Sequence, residues 1–264
     1  MKITVLAENT SARPVLSGEH GLSLYIETNG KKILFDMGQS TLFADNAKIL
    51  GVDLRDVDLA VLSHGHYDHG GGLLHFLSLN SKAAVYVSPN AFGDYYNADG
   101  KYIGLDKSLL ETDRLIMPRA EDVFIDESIS LISLNRAISE DSIDSAGLTE
   151  ETEGMKHPDK FYHEQYLVIE ENGKRYAFSG CAHKGVVNIA KTLKPSVFVG
   201  GFHLSKIPAC GEESKLLDAV AAELDSLNAD FYTCHCTGVE QYEYLKKLMP
   251  RTLHYISTGD IVEI

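Results

Sequence analysis

The sequence predicts a mixed α/β fold, a four-layer αββα sandwich with two sheets face to face and helices outside. Three observations carry this. Each half of the chain opens with β-rich runs and then alternates helix-like with strand-like segments. Each half contains a two-residue hairpin signal, Asn29-Gly30 and Asn172-Gly173. A histidine-rich loop directly follows a short apolar run in the first half, where a buried strand would deliver it to one end of a sheet.

Taken in order, residues 3–6, 22–28 and 32–35 alternate or are β-rich and read as strands, the last two joined at Asn29-Gly30. Residues 41–50 show a helical pattern closed by Gly51 as C-cap, and the apolar run 59–62 reads as a buried strand. The second half repeats the logic with a hairpin of 166–169 and 175–178 and a helix over 186–193. A strand over 197–199, a helix over 212–227, a strand over 231–233, a helix over 240–248 and a strand near Ile261 complete it. Residues 90–162 resist a regular reading. With Phe92, Tyr95, Tyr96 and Tyr102 they form either a solvated insertion or a lid over the substrate, in an otherwise single domain of residues 1–264.

Composition narrows the function. With 44% hydrophobic and 23% charged residues the chain reads as an ordinary globular protein, and no apolar run reaches the ~20 residues of a membrane span. The opening MKITVLAENT lacks the apolar stretch of a secretory signal, so the expectation is a cytoplasmic protein without a membrane partner. The cysteines, Cys181, Cys210, Cys234 and Cys236, do not form a disulfide framework, and reduced thiols are expected. A net charge of −14 without a basic patch disfavours nucleic acid as a partner. Oligomeric state is not legible.

The chemistry centres on LSHGHYDHGGGL at residues 62–73, where His64, His66, Asp68 and His69 fall within a six-residue stretch. Imidazole and carboxylate are ligands of zinc and of non-haem iron or manganese, and a loop leaving a strand can converge several of them. Gly65 and Gly70 to Gly72 are expected to let that loop turn tightly. The competing reading is a polar loop whose histidines cap a helix.

This H-x-H-x-D-H motif after a buried strand resembles the signature of the metallo-β-lactamase superfamily, whose fold is the αββα sandwich. EHGLSLYIETNGKKILFDMGQS (19–40), His163-Glu164-Gln165, SGCAHKGVVNIA (179–190), GGFHL (200–204) and CHCTG (234–238) resemble one branch of it. That branch is the methanopterin-pathway 7,8-dihydropterin-6-methyl-4-(β-D-ribofuranosyl)aminobenzene 5'-phosphate synthase-like proteins. The resemblance implies two divalent metal ions, zinc first and iron or manganese as alternatives. His64 and His66 would hold one ion; Asp68, His69 and the late His235 would hold the other.

The pattern departs from the superfamily at Ser179-Gly180-Cys181, where many members carry an aspartate in the third place. Either Cys181 supplies a thiolate or His183 supplies an imidazole; His183 is preferred, because a neutral imidazole needs no deprotonation at neutral pH. Asp36 resembles the aspartate that orients the metal loop through hydrogen bonds. Asp68 and His203 stand as candidate catalytic residues, His203 for a substrate or general-acid role. His163 is suspect as part of the branch motif, whereas His20, His75, His157 and His254 read as surface or packing residues. Because alternate residues on a strand face opposite ways, Cys234 and Cys236 are expected to pack while His235 between them points to the metal.

The implied reaction is a transfer in which a dihydropterin methyl diphosphate loses pyrophosphate to an arylamine-type acceptor. The substrate class is thus a phosphorylated or otherwise anionic small molecule with an aromatic part. The alternatives are a metallohydrolase of an ester, phosphodiester or lactone, and an iron-site oxidoreductase or metal-dependent ligand sensor.

Overall fold

The computed structural model describes residues 1–11 and 13–264. The first half runs β1 (Lys2–Ala7), β2 (Ser23–Thr28), β3 (Lys31–Phe35), α1 (Leu42–Leu50), β4 (Leu59–Val61), α2 (Tyr67–Gly70), α3 (Leu73–Leu79) and β5 (Ala84–Tyr86). A middle stretch follows with β6 (Asp94–Tyr96), β7 (Leu115–Ile116), β8 (Asp122–Phe124), β9 (Ile129–Ile132), β10 (Thr149–Thr152) and β11 (Met155–Pro158). The second half runs β12 (Tyr166–Glu171), β13 (Lys174–Ser179), α4 (Val186–Leu193), β14 (Val197–Gly200), α5 (Lys215–Asp225), β15 (Asp230–Thr233), α6 (Val239–Leu248), β16 (Leu253–Tyr255) and β17 (Ile261–Glu263).

Two seven-stranded sheets result, ordered β17-β1-β2-β3-β4-β5-β7 and β16-β15-β14-β13-β12-β9-β8. Between them lies an apolar layer in which Val5, Ile26, Phe35 and Val61 meet Leu167, Ile169, Phe178 and Val199. Phe43, Ala47, Leu73 and Phe76 of α1 and α3 cover the outer face of the first sheet. Val186, Ile189, Leu217, Leu224 and Leu245 of α4, α5 and α6 cover that of the second. This is the αββα sandwich. Both hairpins turn through the expected pairs, with φ of 48° and 74° at Asn29-Gly30 and 53° and 74° at Asn172-Gly173.

The stretch 90–162 is not one insertion. Its strands β7, β8 and β9 pair into the two main sheets, and only β6, β10 and β11 form a separate three-stranded sheet. The strands β7 to β9 have two to four residues each, too short to show a periodicity. What positions the chemistry is the parallel half of each sheet: β3, β4 and β5 run parallel, as do β13, β14, β15 and β16. Their carboxyl ends all open to the same edge of the sandwich, the usual place for a site in such sheets. Among the described residues, no helix is long and apolar enough to cross a membrane.

Candidate metal centre

Asp36 follows β3 and is fully buried. Its Oδ1 accepts the Ser63 N–H at 2.7 Å, and its Oδ2 accepts the Ser63 hydroxyl at 2.7 Å and pairs with His69 Nδ1 at 2.7 Å. One carboxylate thereby ties both ends of the loop that β4 delivers. The Ser63 hydroxyl spends its proton on Asp36, so His64 Nδ1, 2.8 Å away, carries the hydrogen of that pair. His64 Nε2 is then a bare lone pair, buried with no hydrogen-bond partner.

His66 Nε2 and both nitrogens of His183 are likewise buried without partners. The donor atoms of His64, His66 and His183 lie within 4.8 Å of one another. Burial, reinforced by the neighbouring imidazoles, pushes His64 and His183 far below the ordinary histidine range and His66 down to about 3. Three neutral imidazoles with free lone pairs could together hold a cation.

A second cluster joins it. His69 Nε2 lies 3.2 Å from His235 Nε2 and 3.6 Å from Asp68 Oδ2, and His235 Nε2 lies 3.3 Å from the same oxygen. Bonds of about 2.0–2.1 Å in a tetrahedron place neighbouring ligand atoms about 3.3–3.4 Å apart, a spacing these donors could offer to a divalent cation. Asp36 takes the hydrogen of His69 Nδ1, and Asn9 Oδ1, 2.8 Å from His235 Nδ1, takes that of His235. Two lone pairs and a carboxylate are left facing one another, which only a cation makes favourable. Burial pushes His69 down, but Asp68 and Asp36 outweigh it and hold it at about 9.

Cys181 Sγ sits 3.2 Å from His69 Nε2, and with His64 and His69 it forms a third set of donors within 4.8 Å. His183 belongs to the first cluster and Cys181 lies between the two, so the residues weighed as alternatives occupy separate places. His203 stands beside His183 with ring centroids 4.3 Å apart, and its Nδ1 is buried without a partner. Asp36, Ala182, His203 and His235 adopt positive φ of 58°, 54°, 55° and 50°. Strained backbone gathered in this way marks positions the surrounding structure over-determines.

Some local expectations need correction. Gly71 and Gly72 have φ of −62° and −81°, so they do not provide an unusual turn. The glycines permit close approach instead: a Cβ on Gly65 would lie 2.3 Å from the Ala91 carbonyl oxygen, and one on Gly71 2.2 Å from that of Gln39. His235 is not on a strand, because β15 ends at Thr233 and residues 235–237 form a 3-10 turn. The left-handed backbone of His235, rather than strand alternation, separates it from Cys234 and Cys236. His20 is exposed, as a surface residue should be, and its Nε2 also lies 3.2 Å from Asp68 Oδ2.

Several supporting residues escaped sequence reasoning. Buried Glu8 accepts the His235 N–H at 2.6 Å, the Tyr255 hydroxyl at 2.7 Å, and the Thr10 N–H and hydroxyl at 2.7 Å each. The available signal was a Glu-Asn pair ending an apolar strand. His163, Glu164 and Gln165 brace the surrounding backbone: His163 Nδ1 accepts the Gly65 N–H at 3.0 Å and its Nε2 pairs with Asp159 at 3.1 Å, while His66, Asp159 and His163 also bring donor atoms within 4.8 Å of one another. Glu164 accepts the N–H groups of His183 and Lys184 at 2.8 and 3.1 Å, and Gln165 donates to the Leu62 carbonyl at 2.8 Å. Tyr95 of the aromatic cluster reaches the centre, its ring 4.1 Å from that of His163 and 5.9 Å from that of His66.

The family description of the metallo-beta-lactamase superfamily matches residues 16–205, and the chain belongs to that superfamily. It is 27% identical to the 7,8-dihydropterin-6-methyl-4-(beta-D-ribofuranosyl)-aminobenzene-5'-phosphate synthase of Methanocaldococcus jannaschii, over 100% of this chain and 96% of that protein. An uncharacterized protein of the same organism is 29% identical over 99% of this chain and 100% of its own. A crystal structure described as a metal-dependent hydrolase of the beta-lactamase superfamily superposes with a TM-score of 0.81 at 27% identity, covering 100% of this chain and 99% of that one.

Proposed function

We propose that the chain is a dinuclear metalloenzyme transferring a dihydropterin-type group from a diphosphate to an aromatic amine that carries a phosphate. His64, His66 and His183 would hold one ion and Asp68, His69 and His235 the other, with Cys181 between them. The observation that carries the reading is the meeting of His69, His235 and Asp68 at 3.2–3.6 Å with their lone pairs inward. Zinc is the first choice for this N, O and S donor set, with iron or manganese as alternatives. Divalent ions held there would supply positive charge to phosphoryl oxygens and to a pyrophosphate leaving group.

The chain's own contribution is orientation. Asp36 and Ser63 set the tautomers of His69 and His64, Glu8 and Asn9 seat His235, and Glu164 holds the loop of His183. His203, with its buried unpartnered Nδ1, is placed to hold a proton beside the first cluster. A cavity of about 450 Å³ adjoins His183 and His203, walled by Val186, Phe202 and Leu204. Its size and apolar walls suit a flat heterocycle. The net charge of −14 favours a small anion drawn in by metal over a nucleic-acid polymer.

The second reading is a hydrolase, favoured by the printed description of the structure at TM-score 0.81. Pyrophosphate release is the deciding measurement, made on metal-loaded protein with a dihydropterin methyl diphosphate and with or without a ribofuranosylaminobenzene phosphate. Release that requires the amine and yields the coupled product supports the transfer. Release without the amine, or turnover of phosphodiesters or lactones in its place, establishes the hydrolase and overturns the transfer.

A further inference from the structure

Cys181, His203 and Cys236 follow β13, β14 and β15, which are neighbours in one sheet and end at the same edge. Their donor atoms lie within 4.8 Å of one another. Cys236 Sγ accepts the His203 backbone N–H at 3.3 Å and lies 3.6 Å from the Cys181 carbonyl oxygen. The sulfur is seated over Gly201, where a Cβ would come within 2.4 Å of it. Only glycine there leaves the sulfur its place.

Simple apolar packing accounts poorly for this group. Cysteines that merely fill a core have no need of an imidazole, yet the His203 ring lies beside them, its side chain turned to Cys236 while its buried Nδ1 has no hydrogen-bond partner. His203 is also held at a φ of 55°, a strained conformation for a non-glycine residue. Two sulfurs and one imidazole are a donor set selective for thiophilic cations, and Zn–S bonds of about 2.3 Å separate two tetrahedral sulfurs by about 3.8 Å.

We propose that Cys181, His203 and Cys236 form an additional site for a thiophilic cation of the zinc class, sharing Cys181 with the histidine centre. Binding releases the two thiol protons and leaves a fourth position open toward the cavity beside His203. The inference rests on the dinuclear reading only through the shared sulfur.

Cadmium provides a readout that does not depend on activity. Titrated into metal-free protein, it should produce an ultraviolet sulfur-to-cadmium absorption of two thiolates. Cys236→Ser should remove roughly half of that absorption, and His203→Ala should keep it while weakening its midpoint about tenfold or more. In the wild-type protein cadmium should slow maleimide labelling of Cys181 and Cys236 but not of exposed Cys210, a test that holds even where a variant fails to fold. Full absorption in Cys236→Ser, or labelling of Cys236 indifferent to cadmium, overturns the proposal. A His66→Ala, Asp68→Ala protein that keeps the two-thiolate absorption supports this site even if the histidine centre has lost its ions.

Discussion

Asp36 controls the protonation pattern of the centre, and Asp36→Asn isolates that control. Asparagine has nearly the same volume and tolerates the φ of 58° as aspartate does, so the backbone is not the variable. Oδ1 faces a backbone N–H and must remain oxygen, which places the amide nitrogen where Oδ2 met the Ser63 hydroxyl and His69 Nδ1. The hydroxyl can rotate to accept; the ring cannot. His69 therefore keeps its hydrogen bond only by moving its proton to Nε2, the atom that faces His235 at 3.2 Å and Asp68 at 3.6 Å. That replaces a ligand lone pair with an N–H. The loss of one charge-assisted bond costs about 1.5–3 kcal/mol of stability. Metal affinity should fall about 10–100-fold, the usual effect of losing such an orienting partner. Zinc competition against a chelator of known affinity gives the second number, and nitrogen-15 NMR of the histidine rings gives the tautomer. Affinity within about threefold of wild type, with His69 still protonated at Nδ1, would refute the reasoning.

Three more perturbations test neighbouring parts of the structure. Glu8→Gln should lower the urea midpoint by an amount equal to about 1–3 kcal/mol without changing the slope, because an amide donor then opposes a backbone N–H of His235 or Thr10; an unchanged midpoint contradicts the four-donor arrangement. His183→Ala should lower the bound metal by about one ion relative to wild type in elemental analysis, since the remaining pair, His64 and His66, loses its third donor; an unchanged ion count removes His183 from the centre. Chelation should lower the thermal midpoint by roughly 5–10 °C for ions held at about a hundredfold above their dissociation constants, and a midpoint indifferent to chelator would mean that the clusters bind no ion in the folded state.

Much of the architecture was legible in the sequence because its signals are local. Asn29-Gly30 and Asn172-Gly173 specify their turns through their own φ preferences, and α4 follows the apolar spacing of residues 186–193 to the residue. His64, His66, Asp68 and His69 stand out as candidates for the same reason: four ligand-type side chains in six residues are visible without a fold. The middle stretch was not, since the two residues of β7 have meaning only beside β5.

Tertiary structure alone decided how distant residues complete the centre. The pairing of β1 with β2 and β17 brings Glu8 and Asn9 beside residues 235 and 255, more than 220 positions away in the chain. His20 reaches Asp68 through the loop that follows β1, which no spacing rule exposes. Cys181 and His183 lie in different clusters: the turn at Ala182, with φ of 54°, sends one side chain toward His69 and the other toward His64 and His66. Residue type was written in the chain. Direction was not, because it depends on backbone dihedrals at Asp36, Ala182, His203 and His235 that only the packing of two sheets and their loops can hold.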